Sequence, residues 1–420
     1  MKRFPGCALW VGFGEFLRVN NPLLAASKLG WSGLLVAQTR EARRKRLPHT
    51  PLLAVWLFVL LVSPLWAGEP APAPTWQQAI GPWAWQFPRD HGAHPDFKTE
   101  WWYFTGNVQD AQAHKFGYQV TLFRQGIQFI PAQMKSKWAV RDFYFGHFTI
   151  SDLAAGQFHV AERVTRGSLG EAGSATDRMN VKLGKWTIQQ KPGTESFHLS
   201  AKDPGFALDL EVHPEKPLVY EGVNGLSRKA DGVGDASYYY SYPLLATAGQ
   251  LRIGDQAYTV SGTSWFDHEF STSLLGKNQV GWDWFCIQLD NREEIMLYAM
   301  RDKSGAMDPD SEGTWVKRDG TSERLPPGSF AIEKTGTWKS PASGAIYPSG
   351  WHITVPGHRA DLTVSPALLD QELRLTKMGA LDYWEGACTI QGKVGDAGVT
   401  GVGYTELTGY AGALKSGLKE

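Results

Sequence analysis

The sequence lacks the marks of several common enzyme classes. It contains no Gly-x-Ser-x-Gly elbow, so a serine hydrolase has no support in the residues. It has no glycine-rich nucleotide loop and, after residue 75, no low-complexity segment and no long stretch with helical periodicity. These absences favour a chain of short strands that works without a nucleotide cofactor.

Cysteine is also scarce, with three in 420 residues. Cys7 lies in the leader, which leaves Cys286 and Cys388 for the remainder of the chain. In an exported protein these two could form one disulfide. Both also lie in apparent strands, where small buried thiols are common. Both interpretations stay open at this point.

The formal net charge is zero, but the charges are unevenly distributed. Residues 1–67 carry nine Lys/Arg and two acidic residues, so 33 basic and 40 acidic residues remain for the rest. An acidic body argues against a nucleic-acid partner, because such partners are held by basic surfaces.

The N-terminal region reads as a targeting segment. Arg43–Arg46 precedes an apolar run at 51–63 and a small residue, Ala67. This order predicts a signal peptide over 43–67, cleaved near Ala67, and a secreted or periplasmic protein. The run is short for a membrane span, although an uncleaved anchor is the alternative. Residues 1–42 differ in composition, so we expect a start assigned too early, and 68–84 is predicted to be an extended linker.

Aromatic residues and glycine are abundant, with 18 Trp and 46 Gly. The most conspicuous stretch is 98–106, in which three aromatic residues follow Glu100 directly. In a strand, Glu100 and Trp102 would share one face, and Trp101 and Tyr103 the other. Because both faces are aromatic, this strand is predicted to be covered on both sides, as in a closed barrel or a sandwich.

Further short strands alternate with Gly, Pro and Asp turns, a pattern typical of barrels and sandwiches. The residues at 254–255 mark a hairpin turn, and a domain boundary is predicted near 270–280. The predicted strands are 116–123, 142–150, 185–190, 196–201, 207–212, 251–259, 262–270, 280–289, 294–302, 315–317, 330–338, 350–355, 359–364, 383–391 and 401–407.

Several segments together resemble the AttH-like, carotenoid 1,2-hydratase-type, lipocalin-like family. They are Asp90–Tyr103, which contains Thr-Glu-Trp-Trp-Tyr, then Phe145–Asp152, Ser264–Glu269, Gly281–Trp284, Tyr383–Gly386 and Gly403–Tyr410. The resemblance runs from about 85 to 412. It implies an all-β fold of two lipocalin-like β-barrel domains packed together, over 85–272 and 273–412, with a tail at 413–420. It also implies a cavity for apolar or isoprenoid-like molecules.

Asp267, His268 and Glu269 form the densest ionisable cluster. Along a strand, Asp267 and Glu269 point one way and His268 the other. Two carboxyl groups near an apolar wall can hold one proton, because burial and like charge raise a pKa. Hydration of an alkene needs such a proton, aromatic faces to stabilise the cation, and a base for the attacking water, without a cofactor. We predict Asp267 as the acid, with His268, Glu269 and Tyr239 as partners. The alternative is a buried polar network that braces the domain junction.

Other residues are candidates for ligand contact or for a second carboxylate. Glu100 is either a site residue or the partner of a buried arginine such as Arg124. Asp283 and Glu385 are either a second site carboxylate or members of structural ion pairs. The predicted ligand-binding residues are Glu100, Trp102, His147, Trp265, Trp282 and Trp284.

A metal site is not predicted. His91 and His94 form a His-x-x-His pattern ahead of Asp96 and Glu100. The segment is broken by glycine and proline, and no matching ligand set follows at a diagnostic spacing. We expect this segment to cap the mouth of the first barrel instead.

These features predict an exported, cofactor-independent enzyme of the hydratase or cyclase type, a hydro-lyase resembling carotenoid 1,2-hydratase. Its partner would be a small hydrophobic, isoprenoid-like ligand. The alternative is a non-catalytic periplasmic carrier of lipid or another small apolar molecule, since a dry apolar cavity suffices for that. A third alternative is an accessory protein beside an envelope transporter.

Overall fold

The computed structural model describes residues 75–129, 136, 138–273, 275–377 and 381–412. The predicted extension, signal peptide, first part of the linker and C-terminal tail lie outside these residues. Within the described chain, the helices are two single 3₁₀ turns, Arg89–His91 and Pro356–His358. No helix there is long and apolar enough to cross a membrane. The fold is all-β, as predicted from the sequence.

The first lipocalin-like barrel is one antiparallel sheet of 13 strands. Its path runs β4-β3-β2-β1-β13-β12-β9-β8-β7-β6-β5, with β10 and β11 paired to β12. Strands β3 and β4 lie against β5 and β6, so the sheet is nearly closed. The strands are β1 Thr99–Asp110, β2 Lys115–Gly126, β3 Asp142–Asp152, β4 Gln157–Arg166, β5 Ala172–Ser174, β6 Asn180–Leu183, β7 Trp186–Gln190, β8 Phe197–Asp203, β9 Phe206–Pro214, β10 Val219–Tyr220, β11 Leu226–Arg228, β12 Ala236–Ile253 and β13 Gln256–Ser271.

The second barrel is a ten-stranded sheet with the path β17-β16-β15-β14-β25-β24-β22-β21-β18, and β23 pairs with β24. A separate two-stranded sheet joins β19 to β20. The strands are β14 Gln279–Leu289, β15 Glu294–Asp302, β16 Glu312–Val316, β17 Ser322–Leu325, β18 Ala331–Lys334, β19 Thr337–Lys339, β20 Ile346–Pro348, β21 Trp351–Val355, β22 Ala360–Pro366, β23 Glu372–Leu375, β24 Leu381–Val394 and β25 Ala397–Leu407.

The sequence predicted most of these strands but not the full length of β12. This strand continues through Pro243, which cannot donate to a ladder, and the pairing with β13 shifts between Tyr242 and Leu245. The predicted hairpin turn is confirmed, because Ile253 pairs with Gln256. The first sheet ends at Ser271 and the second begins at Gln279. The limits of the two predicted domains stay predictions.

Strand β1 shows how the two barrels share their side chains. Trp102 and Phe104 face the core of the first barrel and are fully buried. Tyr103 and the half-buried Trp101 instead join a third cluster with Trp284 and Tyr298 of the second barrel. The outer faces of the two sheets therefore pack against each other. The predicted burial of β1 on both faces is confirmed.

A buried lysine joins the first barrel to the second. Lys216 follows β9, and its Nζ lies 2.6 Å from Glu294 Oε2 on β15. The same Nζ donates to the carbonyl oxygens of Arg292, at 2.6 Å, and Lys317, at 2.7 Å. Because both side chains are almost fully buried, this ion pair is screened little by solvent.

Replacing this lysine tests how far the barrels depend on the contact. Lys216→Met should lower the free energy of unfolding by about 3–5 kcal/mol, since it leaves a buried carboxylate without its cation. The matched control is Lys191→Met, whose pair with Glu211 is about half exposed and should contribute less than about 1 kcal/mol. Urea denaturation of both variants provides the measurement. Equal losses would contradict the role assigned to Lys216.

Candidate functional site

Two groups of polar side chains lie on opposite faces of β1 and β13. On the inner face, Glu100 is the centre of a fully buried network. Its Oε2 accepts from Arg124 Nε at 2.9 Å, and its Oε1 lies 2.8 Å from His94 Nδ1 and 3.0 Å from His268 Nε2. The guanidinium also donates to Asp142 at 3.0 Å. The predicted pairing of Glu100 with Arg124 is therefore confirmed.

The charges of this inner network explain its protonation. Burial alone would raise the pKa of Glu100, but Arg124 and hydrogen bonds from His268 and His94 hold that pKa well below its usual range. Burial opposes a charge on His94, yet hydrogen bonds to Asp90 and Glu100 raise its pKa. Burial lowers the pKa of His268 to about 4, so that imidazole is neutral. The network is a set of complementary charges.

Three residues of this network lie close enough to hold a metal ion. Ligand atoms of His94, Glu100 and His268 all lie within 4.8 Å of one another. In the described chain, however, each of these atoms already has a hydrogen-bond partner within the group or in Arg124, and a metal would have to displace them. Asp96 is exposed and does not belong to the group. The expectation of no metal site stays a prediction.

On the outer face, Asp267 lies in the packing between the barrels. Its Oδ2 accepts from Tyr239 at 2.7 Å, and its Oδ1 accepts from Ser241 and Trp265, both at 2.6 Å. Trp284 of the second barrel donates to the Tyr239 hydroxyl at 3.2 Å. Despite these donors, burial raises the pKa of Asp267 to about 7. Its carboxyl group can therefore hold a proton at neutral pH.

Two glutamates of the second barrel face the same region. Glu385 Oε2 accepts from Gln119 Nε2 of the first barrel at 2.8 Å. Burial and the neighbouring Glu406 raise the pKa of Glu385 well above its usual range. Glu406, which is half-buried, accepts from Trp282 Nε1 at 3.0 Å, and burial raises its pKa to about 7. Both barrels thus contribute carboxyl groups to one junction.

Polar atoms without hydrogen-bond partners concentrate in this junction. Glu385 Oε1, Gln119 Oε1, the Tyr103 hydroxyl and His147 Nε2 are all buried and unpartnered. The Tyr103 hydroxyl lies close enough to Glu385 to lower its pKa, but not in hydrogen-bonding geometry. His147 Nδ1 lies 2.8 Å from the Tyr383 hydroxyl, and burial lowers its pKa to about 3. Since buried polar groups normally find partners, these atoms mark a place for a polar ligand group.

The structure brings together most of the predicted site residues and separates three of them. The junction holds Asp267, Glu269, Tyr239, His147, Trp265, Trp282 and Trp284. Glu100, Trp102 and His268 face the interior of the first barrel, because alternate residues of a strand point to opposite sides. These three residues cannot contact a ligand held by Asp267, so their predicted part in one site with it is corrected.

The remaining predictions divide in the same way. Asp283 pairs with Arg301 at 2.8 Å and accepts from Tyr410, so it is a structural ion-pair member rather than a site carboxylate. Cys286 and Cys388 are buried free thiols and form no disulfide. Sequence reasoning missed Glu221 and Glu406 as members of the junction, and strand alternation alone would have included Tyr103.

Comparison with known proteins agrees with this architecture. The AttH-like family pattern matches residues 78–410. A Nitrosomonas europaea protein provisionally named AttH is 31% identical, with a TM-score of 0.71 over 80% of this chain and 99% of that one. Kievitone hydratase from Nectria haematococca is 16% identical, with a TM-score of 0.60 over 81% of this chain and 99% of that one, a likeness of fold. No curated protein sequence matches the chain.

The buried carboxyl groups make stability depend on pH. Asp267 and Glu221 titrate at about 7 and about 8 in the folded protein, against ordinary values of 3.8 and 4.5. Between these limits the folded state binds more protons than the unfolded state, so stability falls as pH rises. We expect the free energy of unfolding to decrease from pH 5 to pH 8. Denaturant titrations across this range provide the measurement.

Glu385→Gln is the matched variant for that titration, since the amide keeps an acceptor for Gln119 but cannot ionise. The fall in stability with pH should be shallower in this variant than in the unaltered protein. A wild-type stability that stayed constant from pH 5 to pH 8 would contradict the raised pKa values.

Proposed function

Because this chain belongs to the AttH-like family, we propose that it is a cofactor-independent enzyme of the hydratase or cyclase type, with its active site between the two barrels. Its substrate would be an apolar, unsaturated molecule, and proton transfer to a double bond would be the chemical step. The proposal rests on the geometry of the junction and on the shared fold.

The observation that carries the proposal is the unusual charge balance of the junction. Asp267, Glu385 and Glu406 approach one another from the two sheets. Within the described residues, the ion pair in this region joins Lys229 to Glu269 at 3.3 Å. Carboxyl groups that are buried without cations retain protons at neutral pH, and a retained proton is what an alkene-protonating enzyme requires.

We assign the acid role to Asp267 and the base role to Glu406. A proton leaves Asp267 for one carbon of the double bond, and the positive charge develops on the other carbon. The aromatic faces of Trp265 and Trp284 lie beside Asp267 to stabilise that charge. Water then adds its oxygen to the cation and gives a proton to the half-exposed Glu406. In a cyclisation, a second double bond takes the place of water.

The surrounding side chains suggest the kind of ligand. Phe123 and Phe145 stack with ring centroids 4.4 Å apart, and Trp101 lies 6.3 Å from Phe123. All three rings are half-buried, and with Trp282 they offer an apolar surface at the edge of the junction. Deeper in, His147 Nε2 and Glu385 Oε1 lack partners. We therefore propose a largely apolar ligand that carries one hydroxyl or carbonyl group.

We further propose that the enzyme acts outside the cytoplasm, on the strength of the signal peptide predicted at 43–67. A carrier of apolar molecules in the same compartment is the second candidate, because the unpartnered polar atoms could hold a ligand without transforming it. The two functions differ in what Asp267 contributes, since a carrier needs no proton there.

Native mass spectrometry of the protein from cell-envelope fractions should identify the apolar molecule that co-purifies with it. Asp267→Asn should retain that molecule and the fold but abolish its conversion to a hydrated or isomeric product. The control is Asp361→Asn, which alters an exposed carboxylate of the second barrel and should leave turnover unchanged. Conversion by Asp267→Asn at the unaltered rate would refute the assigned acid. Binding without conversion by the unaltered protein would favour the carrier.

A further inference from the structure

We infer that Glu221 and Asp267 share a single proton at neutral pH through the hydroxyl group of Ser241, and that Glu221 is a proton-holding positioning residue behind the junction. The shared proton follows from hydrogen-bond geometry alone. Its use in turnover rests on the proposed function.

Ser241 lies between the two carboxyl groups. Its Oγ is 2.9 Å from Glu221 Oε1 and 2.6 Å from Asp267 Oδ1. A serine hydroxyl has one proton, so it donates to only one of two acceptors. Two oxygen atoms at the other distance would repel each other unless the second carboxyl group carried a proton and donated it to Ser241. One of the two acids is therefore neutral.

No other group relieves this requirement in the described part of the chain. The second oxygen of Glu221 accepts from the Thr314 hydroxyl of the second barrel. Asp267 accepts its remaining hydrogen bonds from Tyr239 and Trp265. The nearby Lys229 forms its ion pair with Glu269. Glu221, Ser241 and Asp267 are all buried, so water does not screen the two carboxyl groups from each other.

The pKa values agree with the geometry. Burial raises the pKa of Glu221 to about 8 and that of Asp267 to about 7. Because the groups interact, these two steps describe the pair rather than either residue. The titratable and charged side chains that face the pair from the surrounding strands are Tyr239 on β12, Glu269 on β13, Cys286 on β14, Glu312 on β16 and Glu406 on β25.

The arrangement permits a balanced proton transfer. When Asp267 has given its proton to a substrate, Glu221 gives its proton to Ser241 Oγ while Ser241 gives its own proton to Asp267 Oδ1. One O–H bond breaks and one forms at each transfer, and the negative charge moves from Asp267 to Glu221. The proton that a water nucleophile releases later restores Glu221 by the reverse route. Asp267 is thus recharged without opening the junction.

Infrared spectroscopy of the protein without substrate tests the shared proton, because a neutral carboxyl group absorbs apart from a carboxylate. Between pH 7 and pH 8, the double variant Glu221→Gln/Asp267→Asn should lose the absorbance of one neutral carboxyl group, although two acids have been replaced. Loss of none or of two would overturn the inference. The control, Glu312→Gln, should lose none, since Glu312 already pairs with Arg324 at 2.6 Å.

Ser241 supplies the second measurement should the double variant not fold. In Ser241→Ala the neutral carboxyl group loses its hydrogen-bond partner, and its band should move to higher frequency. Ser241→Thr keeps the hydroxyl and should restore the band. An unmoved band in the alanine variant would overturn the bridge.

The infrared result is independent of the substrate, so a failure of the proposed function leaves it standing. The catalytic part has its own readout once a substrate is in hand. The alkaline limb of kcat/KM should move down by about one pH unit in Glu221→Gln, from the pKa of about 8 to that of about 7. An unshifted limb would show that Glu221 holds a proton without serving turnover.

Discussion

The packing of two sheets against each other by their outer faces is the constraint on which the structure depends. A barrel that stands alone exposes its outer face to water, and β8 and β9 still show that pattern, with alternate residues buried and open. Strands β1, β13 and β14 do not, because each has a core on one side and the other barrel on the other. Every side chain of these strands must therefore suit a largely dry environment. Stacking explains why both faces of the Glu100–Tyr103 segment are apolar or fully hydrogen-bonded.

Neighbouring residues of one strand consequently have different chemistry. His268 points inward, where Glu100 and Arg124 complete a network of opposite charges. Asp267 points outward, where its partners are hydroxyl and indole donors. An inward carboxylate with a cation is held ionised, and an outward carboxyl group without one holds a proton near neutral pH. One residue of register thus separates a structural ion-pair network from a set of titratable acids.

The sequence could predict what alternation determines but not what folding brings from a distance. The strand at 98–106, its two covered faces and the opposite directions of Asp267 and His268 all follow from the period of two. Glu221 could not be found in this way, since it lies between two short strands and reaches the site only because β10 and β11 pair with β12. Glu385 stayed ambiguous between site and ion pair until the second barrel placed it beside Gln119. The motif from Gly403 to Tyr410 contained Glu406, but its meaning depends on the facing strands.

The contrast between the two networks also bears on whether the junction merely braces the barrels. The protein can neutralise a buried acid with a cation, as Arg124 does for Glu100 and Lys216 for Glu294. A brace built in that way would hold the sheets together without raised pKa values or unpartnered atoms. The junction instead keeps Glu385 and His147 with open positions and lets Asp267 and Glu221 share a proton. Burying neutral acids and unpartnered atoms costs stability, and such local costs persist where a site needs them. Proton transfer to an apolar ligand is a need that accounts for both features.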